Sequence, residues 1–127
     1  GRFYIKVRST QRALWDLARY YKKLFPIPFI AITGSVGKTT TKDMVAAVLG
    51  ARFCVHKTDG NFNNDIGVPL TLLRLEAQHE VCVVEMGMDH AGEIDNLARL
   101  VEPDMALITN IGDAHIENLG SRENIQW

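Results

Sequence analysis

The stretch Phe29 to Thr41, FIAITGSVGKTTT, constrains what this chain can become more than any other. Phe29-Ile30-Ala31-Ile32 is a short apolar, partly β-branched run, the pattern of a buried strand. Gly34-Ser35-Val36-Gly37 breaks it with two glycines, and Lys38-Thr39-Thr40-Thr41 opens a segment with helical spacing. Strand, glycine turn, Lys-Thr and helix, in that order, lay out a phosphate-binding loop. Glycines let backbone N–H groups curl around an anion with no Cβ in the way. The helix start aims unpaired N–H groups and the positive end of its dipole at the same spot. Lys38 adds a full positive charge, and Thr39 offers a hydroxyl to Mg²⁺. The usual eight-residue pattern would place its first glycine at Ile32, so this is the shorter TGxxGKT form. The competing reading, a glycine-rich turn before an ordinary helix, is set aside because strand, glycines, lysine and threonine all occur in order.

Around that centre the chain alternates strand and helix. Phe3 to Val7 predicts a short strand. A helix capped by Ser9 or Thr10 runs to about Leu24, with Leu14, Leu17, Ala18, Tyr21 and Leu24 inward and Arg12, Arg19, Lys22 and Lys23 on a solvated face. Pro26 and Pro28 end it. After the loop, Met44, Val45, Val48 and Leu49 form the packing stripe of a crossover helix, and Gly50 stands where a C-terminal glycine belongs. Phe53 to His56 is a strand, residues 57–65 a polar loop, and Val68-Pro69 the start of a helix with Leu70, Leu72, Leu73 and Leu75 apolar. Val81 to Met86 is a strand, residues 87–92 a turn, and Glu93 to Val101 a helix with Ile94, Leu97, Ala98 and Val101 inward. Met105 to Thr109 is a further strand, followed by a loop to Gly120 and a helix capped by Ser121. The fold class is α/β, a mostly parallel sheet with helices on both faces.

At 127 residues, 46% hydrophobic and 23% charged, this is one modest domain at most, with the composition of an ordinary globular protein. A net charge of −1 favours neither nucleic acid nor a membrane surface as partner. No signal-like start and no apolar run of membrane-spanning length is present, so the expected location is cytoplasmic. Cys54 and Cys82 lie in apolar strand-like runs and are expected to be buried free thiols, since phosphate-loop proteins usually work in a reducing compartment.

Ligands in such sheets sit outside the carboxyl ends of the strands, and four loops there carry polar residues. The first is the phosphate loop. The second holds Asn63, Asn64 and Asp65, which are either turn formers or a substrate-facing set. The third begins at Glu85, a carboxylate closing an apolar strand, suited to Mg²⁺ or to capping a helix. It continues to Asp89, His90 and Glu93, which more readily orient the loop or cap the next helix than do chemistry. The fourth, Thr109 to His115, offers His115 as a metal ligand or a plain loop histidine.

The segments TGSVGKTTTKDM, TDGNFNNDIGVPLTLL, VVEMGMDHAGEI and PDMALITNIGDAHIENLGS, in this order, resemble the Mur ligase family over nearly the whole chain, from about Ala13 to Ile125. The GNxNN-DIGVPLTLL and EMGM-H-GEI stretches favour the branch that adds D-Ala-D-Ala to UDP-N-acetylmuramoyl-tripeptide, a bacterial cell-wall precursor. The resemblance implies a phosphate-loop NTPase-like central domain over residues 25–127, preceded in residues 1–24 by the end of an N-terminal domain and a linker. It implies ATP and Mg²⁺ as cofactors, an acyl-phosphate intermediate, no nucleic-acid or membrane partner, and a monomeric parent. Carried over by motif, Gly34, Ser35, Val36, Gly37, Lys38, Thr39 and Thr40 hold the phosphates. Thr39 and Glu85 hold the first Mg²⁺, and His115 the second, with Lys38 and His115 as catalytic groups. Asn64 and Asp65, with Asn63 beside them, fall in the loop that resembles the family's polar contact to γ-phosphate and metal. Asn110 is implied as an adenine-side or loop-shaping residue.

The family's carbamylated lysine follows the segment that here reads Gly120-Ser121-Arg122-Glu123-Asn124-Ile125, and no lysine occurs after Lys57. The expectation is therefore that the chain alone has little or no ligase activity. The alternatives are a Mur-like ligase with another acceptor, folate or an amino-acid polymer, and a non-catalytic nucleotide-binding fragment.

Overall fold

The computed structural model describes residues 4, 6–60, 62–87 and 91–110. The elements follow in the order α1 (Thr10–Lys22), β1 (Phe29–Thr33), α2 (Lys38–Gly50), β2 (Val55–Lys57), α3 (Gly67–Leu73), β3 (Val81–Glu85), α4 (Ala91–Val101) and β4 (Met105–Ile108). The four strands form one parallel sheet in the order β2-β3-β1-β4. Each parallel step needs a crossover, and helices supply it. The phosphate loop thus leaves the carboxyl end of an interior strand, as the sequence predicts.

The pleat sends alternate side chains to opposite faces. Phe29, Ala31, Cys82, Val84 and Met86 join Ala18 of α1, Val68 and Leu72 of α3, and Ile94, Leu97, Leu100 and Val101 of α4 in one buried apolar cluster. α2 packs on the other face, across β1, β2 and β3. α4 behaves as its periodicity predicts, with Ile94, Leu97 and Val101 buried and Ala98 packed against the cluster.

Two other helices depart from expectation at particular positions. In α1, Ser9 caps as predicted, its side chain accepting from Arg12 N, but Leu17 and Leu24 are exposed. Ala18 and Tyr21 pack inward as expected, Trp15 joins them, and Lys22 lies with Nζ 4.2 Å from the Phe29 ring centre. Its long aliphatic stem covers apolar surface that a shorter chain would leave bare, and burial pulls its pKa down. In α2, Met44 and Val48 are 63% and 75% exposed, while Lys42 and Ala46 are buried. The physical reason is that Lys42 has buried carbonyl partners, described below, and takes the inward position that apolar patterning alone would give to Met44. Gly50 is the last helical residue, with Ala51 at the C-cap.

Smaller departures concern the ends. Tyr4, Lys6 and Val7 are irregular rather than strand, and Leu70 of α3 is exposed while Leu72 and Leu75 are buried. Cys82 is buried and Cys54 exposed, both free; burial pushes the Cys82 thiol up to about 12, which leaves it unreactive. α1 packs directly on α3 and α4. Residues 88–90, including Asp89 and His90, and residues 111–127, including His115 and the Ser121 helix, lie outside the described residues. No described helix is long and apolar enough to cross a membrane.

Candidate functional site

The loop after β1 is built as an anion cradle. Gly34 has φ +141°, and a Cβ there would collide with Thr109 Oγ1, so both the turn and the neighbouring strand end require glycine. Gly37 is the N-cap of α2 in the left-handed region, φ 83°. The first backbone bond of the helix is from Thr41 N to Gly37 O, at 2.9 Å. The N–H groups of Lys38, Thr39 and Thr40 precede it and have no acceptor within the helix, which leaves them, with the dipole, for an anion. Thr39 and Thr40 are exposed at this end, and Lys38 folds back to donate from Nζ to Gly34 O at 2.9 Å.

The loop is strapped from β4. The Asn110 side-chain oxygen accepts from Ser35 N at 3.0 Å, Ser35 Oγ at 2.8 Å and Val36 N at 3.0 Å, and Thr109 Oγ1 donates to Val36 O at 2.7 Å. Asn110 therefore touches the first half of the loop, and the helix start is left clear.

Glu85 closes β3 opposite Ile32 of β1, which puts it level with the root of the loop. It is fully buried. Its Oε2 accepts from Asn63 Nδ2 at 2.8 Å, and its backbone N donates to Thr58 Oγ1 at 2.9 Å. Among the described residues Oε1 has no partner. A buried carboxylate oxygen without a donor is costly, and a divalent cation would satisfy it. No three His, Cys, Asp or Glu side chains cluster among the described residues. Mg²⁺ keeps much of its water and takes one or two carboxylates, and the Glu85 carboxylate is a donor of that kind.

The three polar residues of the 57–65 loop separate clearly. Asn63 meets Glu85, and its carbonyl accepts from Gly87 N at 2.7 Å. A Cβ on Gly87 would fall 2.7 Å from the Asn63 side chain, so the close approach depends on that glycine. Asn64 turns its side-chain oxygen to Gly67 N at 2.8 Å and Ile66 N at 3.2 Å and so closes the start of α3. Asp65 faces α1, accepting from Gln11 Nε2 at 3.1 Å on its carboxylate and from Trp15 Nε1 at 2.7 Å on its carbonyl. Sequence gives no ranking among the three. Their directions are set by contacts with α3, α1 and β3.

Sequence reasoning passed over Thr58, Thr109 and Lys42. Lys42 did leave a signal: it stands four residues after Lys38, in the same stripe as Val45, Ala46 and Leu49.

Comparison with known proteins adds the family. Residues 32–126 match the model of the Mur ligase middle domain. The chain belongs to the Mur ligase family. Among Mur ligases it is 55% identical over 121 residues to the UDP-N-acetylmuramoyl-tripeptide–D-alanyl-D-alanine ligase of Bacillus subtilis (strain 168), covering 95% of this chain and 26% of that protein. The crystal structure of MurF from Acinetobacter baumannii superposes with a TM-score of 0.85 at 43% identity, over 95% of this chain and 27% of that one. The MurF ligase of Thermotoga maritima, solved in complex with ADP, gives 0.80 at 36% identity, over 98% and 30%. The chain thus spans about a quarter of the length of the curated relative it matches. The expected α/β class and phosphate-loop architecture agree with these neighbours.

Proposed function

We propose that this chain is the nucleotide-holding part of an ATP-dependent ligase that joins D-Ala-D-Ala to UDP-N-acetylmuramoyl-tripeptide. The observation that carries the reading is the buried Glu85 carboxylate, with one oxygen on Asn63 and the other unpartnered, ending its strand beside the phosphate loop. The names of the relatives, and the ADP held by one of them, support the choice of substrates and nucleotide.

In this reading Gly34 to Gly37 and the N–H groups of Lys38, Thr39 and Thr40 hold the ATP phosphates. Lys38 leaves Gly34 O to meet the transferred phosphate. Thr39 and Glu85 would hold Mg²⁺, which would supply charge neutralisation at the phosphate oxygens. The tripeptide's terminal carboxylate takes the γ-phosphoryl group, giving an acyl phosphate and ADP. The amine of D-Ala-D-Ala attacks the acyl carbon, an amide forms, and inorganic phosphate leaves with a proton lost from the amine. Positioning and charge neutralisation do most of the work in such a transfer.

Asn63 takes the polar contact near phosphate and metal, while Asn64 and Asp65 anchor the loop that presents it. Asn110 shapes the phosphate loop rather than meeting the adenine. His115, at a position outside the described residues, is assigned to a second Mg²⁺ on the family resemblance alone. The chain by itself supplies nucleotide binding and little ligation.

Calorimetric titration with Mg-ATP tests this. The chain is expected to bind, and Lys38→Ala is expected to weaken binding by at least about tenfold, roughly 1.4 kcal/mol. Equal affinity of the variant and the original chain would remove the phosphate-loop assignment.

A further inference from the structure

Lys42 has no part in the phosphate loop, yet it is 1% exposed, and an unpaired ammonium would not be tolerated there. Its Nζ donates to Thr58 O at 2.8 Å and to Gly60 O at 2.8 Å, and lies 3.4 Å from the exposed carboxylate of Asp43. Asp43 also receives Lys57 Nζ at 3.0 Å, and this hydrogen bond is the main cause of its lowered pKa. The ammonium thus has two carbonyl acceptors and a carboxylate beside it. The two carbonyl bonds fasten the turn that leaves β2.

That turn is tied to the end of β3 at three further points, two of them on Glu85 itself. Thr58 N donates to Val83 O at 3.1 Å, Thr58 Oγ1 receives Glu85 N, and Asn63, three residues past Gly60, donates to the Glu85 carboxylate. Lys42 belongs to the helix whose first residue is Lys38. One rigid element therefore carries the phosphate-binding start at one end and, a turn later, the clamp on the loop that orients the carboxylate. We propose that Lys42 is a positioning residue for Glu85, fixing its carboxylate relative to the phosphate loop so that one metal ion can be shared between them. The proposal rests on the reading of Glu85 as a metal-holding group.

A merely space-filling role would be served by an apolar side chain of similar length at less desolvation cost. What an apolar chain cannot do is hold two carbonyls of the same turn. Gly60, in the left-handed region at φ 53°, lies between the Thr58 and Asn63 contacts. Without the ammonium, Thr58 and Gly60 lose their tie to α2, and Asn63 loses its set direction.

The test compares the chain with Lys42→Met, Thr58→Val and Glu85→Gln. ATP affinity is measured by calorimetry with Mg²⁺ and with chelator, and amide hydrogen exchange over residues 58–63 is followed without nucleotide. Lys42→Met is expected to keep metal-free ATP affinity within about twofold while the gain given by Mg²⁺ falls about tenfold. Exchange over 58–63 is expected to accelerate without metal present. Thr58→Val, which retains the ammonium but removes the acceptor for Glu85 N, is expected to shift the Mg²⁺ gain in the same direction, and it decides the matter if Lys42→Met does not fold. If Glu85→Gln abolishes the Mg²⁺ gain while a folded Lys42→Met, or in its place Thr58→Val, keeps it, the positioning role is overturned and the metal reading stands. If Glu85→Gln also keeps the gain, the metal reading itself falls.

Discussion

On the side of the sheet covered by α1, α3 and α4, Phe29, Ala31, Cys82, Val84 and Met86 meet Val68, Leu72, Ile94, Leu97 and Leu100, an apolar set without a charge in it. On the side covered by α2, buried Ile32 and Val83 share their space with a lysine and a glutamate that are equally buried, Lys42 and Glu85. The same strands serve both faces, because the pleat separates their side chains by parity. The first face gains free energy simply from the area it removes from water. The second gives some of that up, since buried ionic groups replace well-packed apolar ones at best evenly. On the function proposed above, stability and chemistry fall to different sides of one thin sheet, joined at the carboxyl ends of β1 and β3.

The comparison breaks most visibly on the apolar side. Leu72→Ala removes a fully buried side chain from the cluster, and such truncations cost about 2–5 kcal/mol. Against the 5–15 kcal/mol that typically holds a domain of this kind together, denaturant unfolding should show a large fall in the midpoint. Nucleotide affinity measured well below that midpoint should be unchanged. If binding were lost while the chain is still folded, the two faces would not be independent.

Asn110→Ala probes the other side. The variant frees Ser35 N, Ser35 Oγ and Val36 N from their shared acceptor, but these groups lie where water can replace it. The expected stability loss is about 0.5–1.5 kcal/mol, the net worth of an ordinary hydrogen bond. The expected loss in Mg-ATP affinity is several-fold, because the loop must then be ordered on binding. A thermal melt and a titration on the same sample give both quantities. A fall in melting temperature as large as that of Leu72→Ala would place Asn110 in the core's stability rather than in the loop's preorganisation.

What the sequence revealed follows the same division. α4 and β1 were legible because their environment is apolar and periodic, and patterning reports that directly. The place of Glu85 at the end of β3 was legible because it closes an apolar run. The inward faces of α1 and α2 were misread at Leu17 and Met44, since Lys22 and Lys42 occupy inward positions. A lysine reads as surface until its partners are known, and those of Lys42 lie sixteen and eighteen residues away at Thr58 and Gly60. Asn63, Asn64 and Asp65 could not be told apart because adjacent polar residues in a turn share every local propensity. Only long-range contacts, Asp65 to Gln11 across 54 positions and Asn63 to Glu85 across 22, distinguish them.

The smallest expected effect lies at the margin of the apolar face, where His56 of β2 and His79 stack with ring centres 4.6 Å apart. His56 Nε2 donates to Thr71 O of α3 at 2.7 Å, and His79 Nδ1 accepts from Glu76 N at 2.9 Å, which fixes the His79 proton on Nε2. A second proton on His79 would have to displace that N–H. Burial, and next the neighbouring His56, hold the His79 pKa below its ordinary 6.5, with Glu76 opposing. The sign follows from linkage. Above 6.5 both folded and unfolded chains are neutral at this ring, and the contribution of His79 is fully present. As pH falls below 6.5 the unfolded chain takes up the proton first, so stability declines until the lower folded pKa has been passed. Unfolding free energy measured between pH 7.5 and 5 should therefore fall with a component that His79→Asn removes. Metal-free ATP affinity, compared between the variant and the original chain at each pH, should not differ, because the pair sits on the stability side. A difference in affinity that follows His79 would mean that protonation at the sheet margin reaches the phosphate loop, and the separation of the two faces would have to be abandoned.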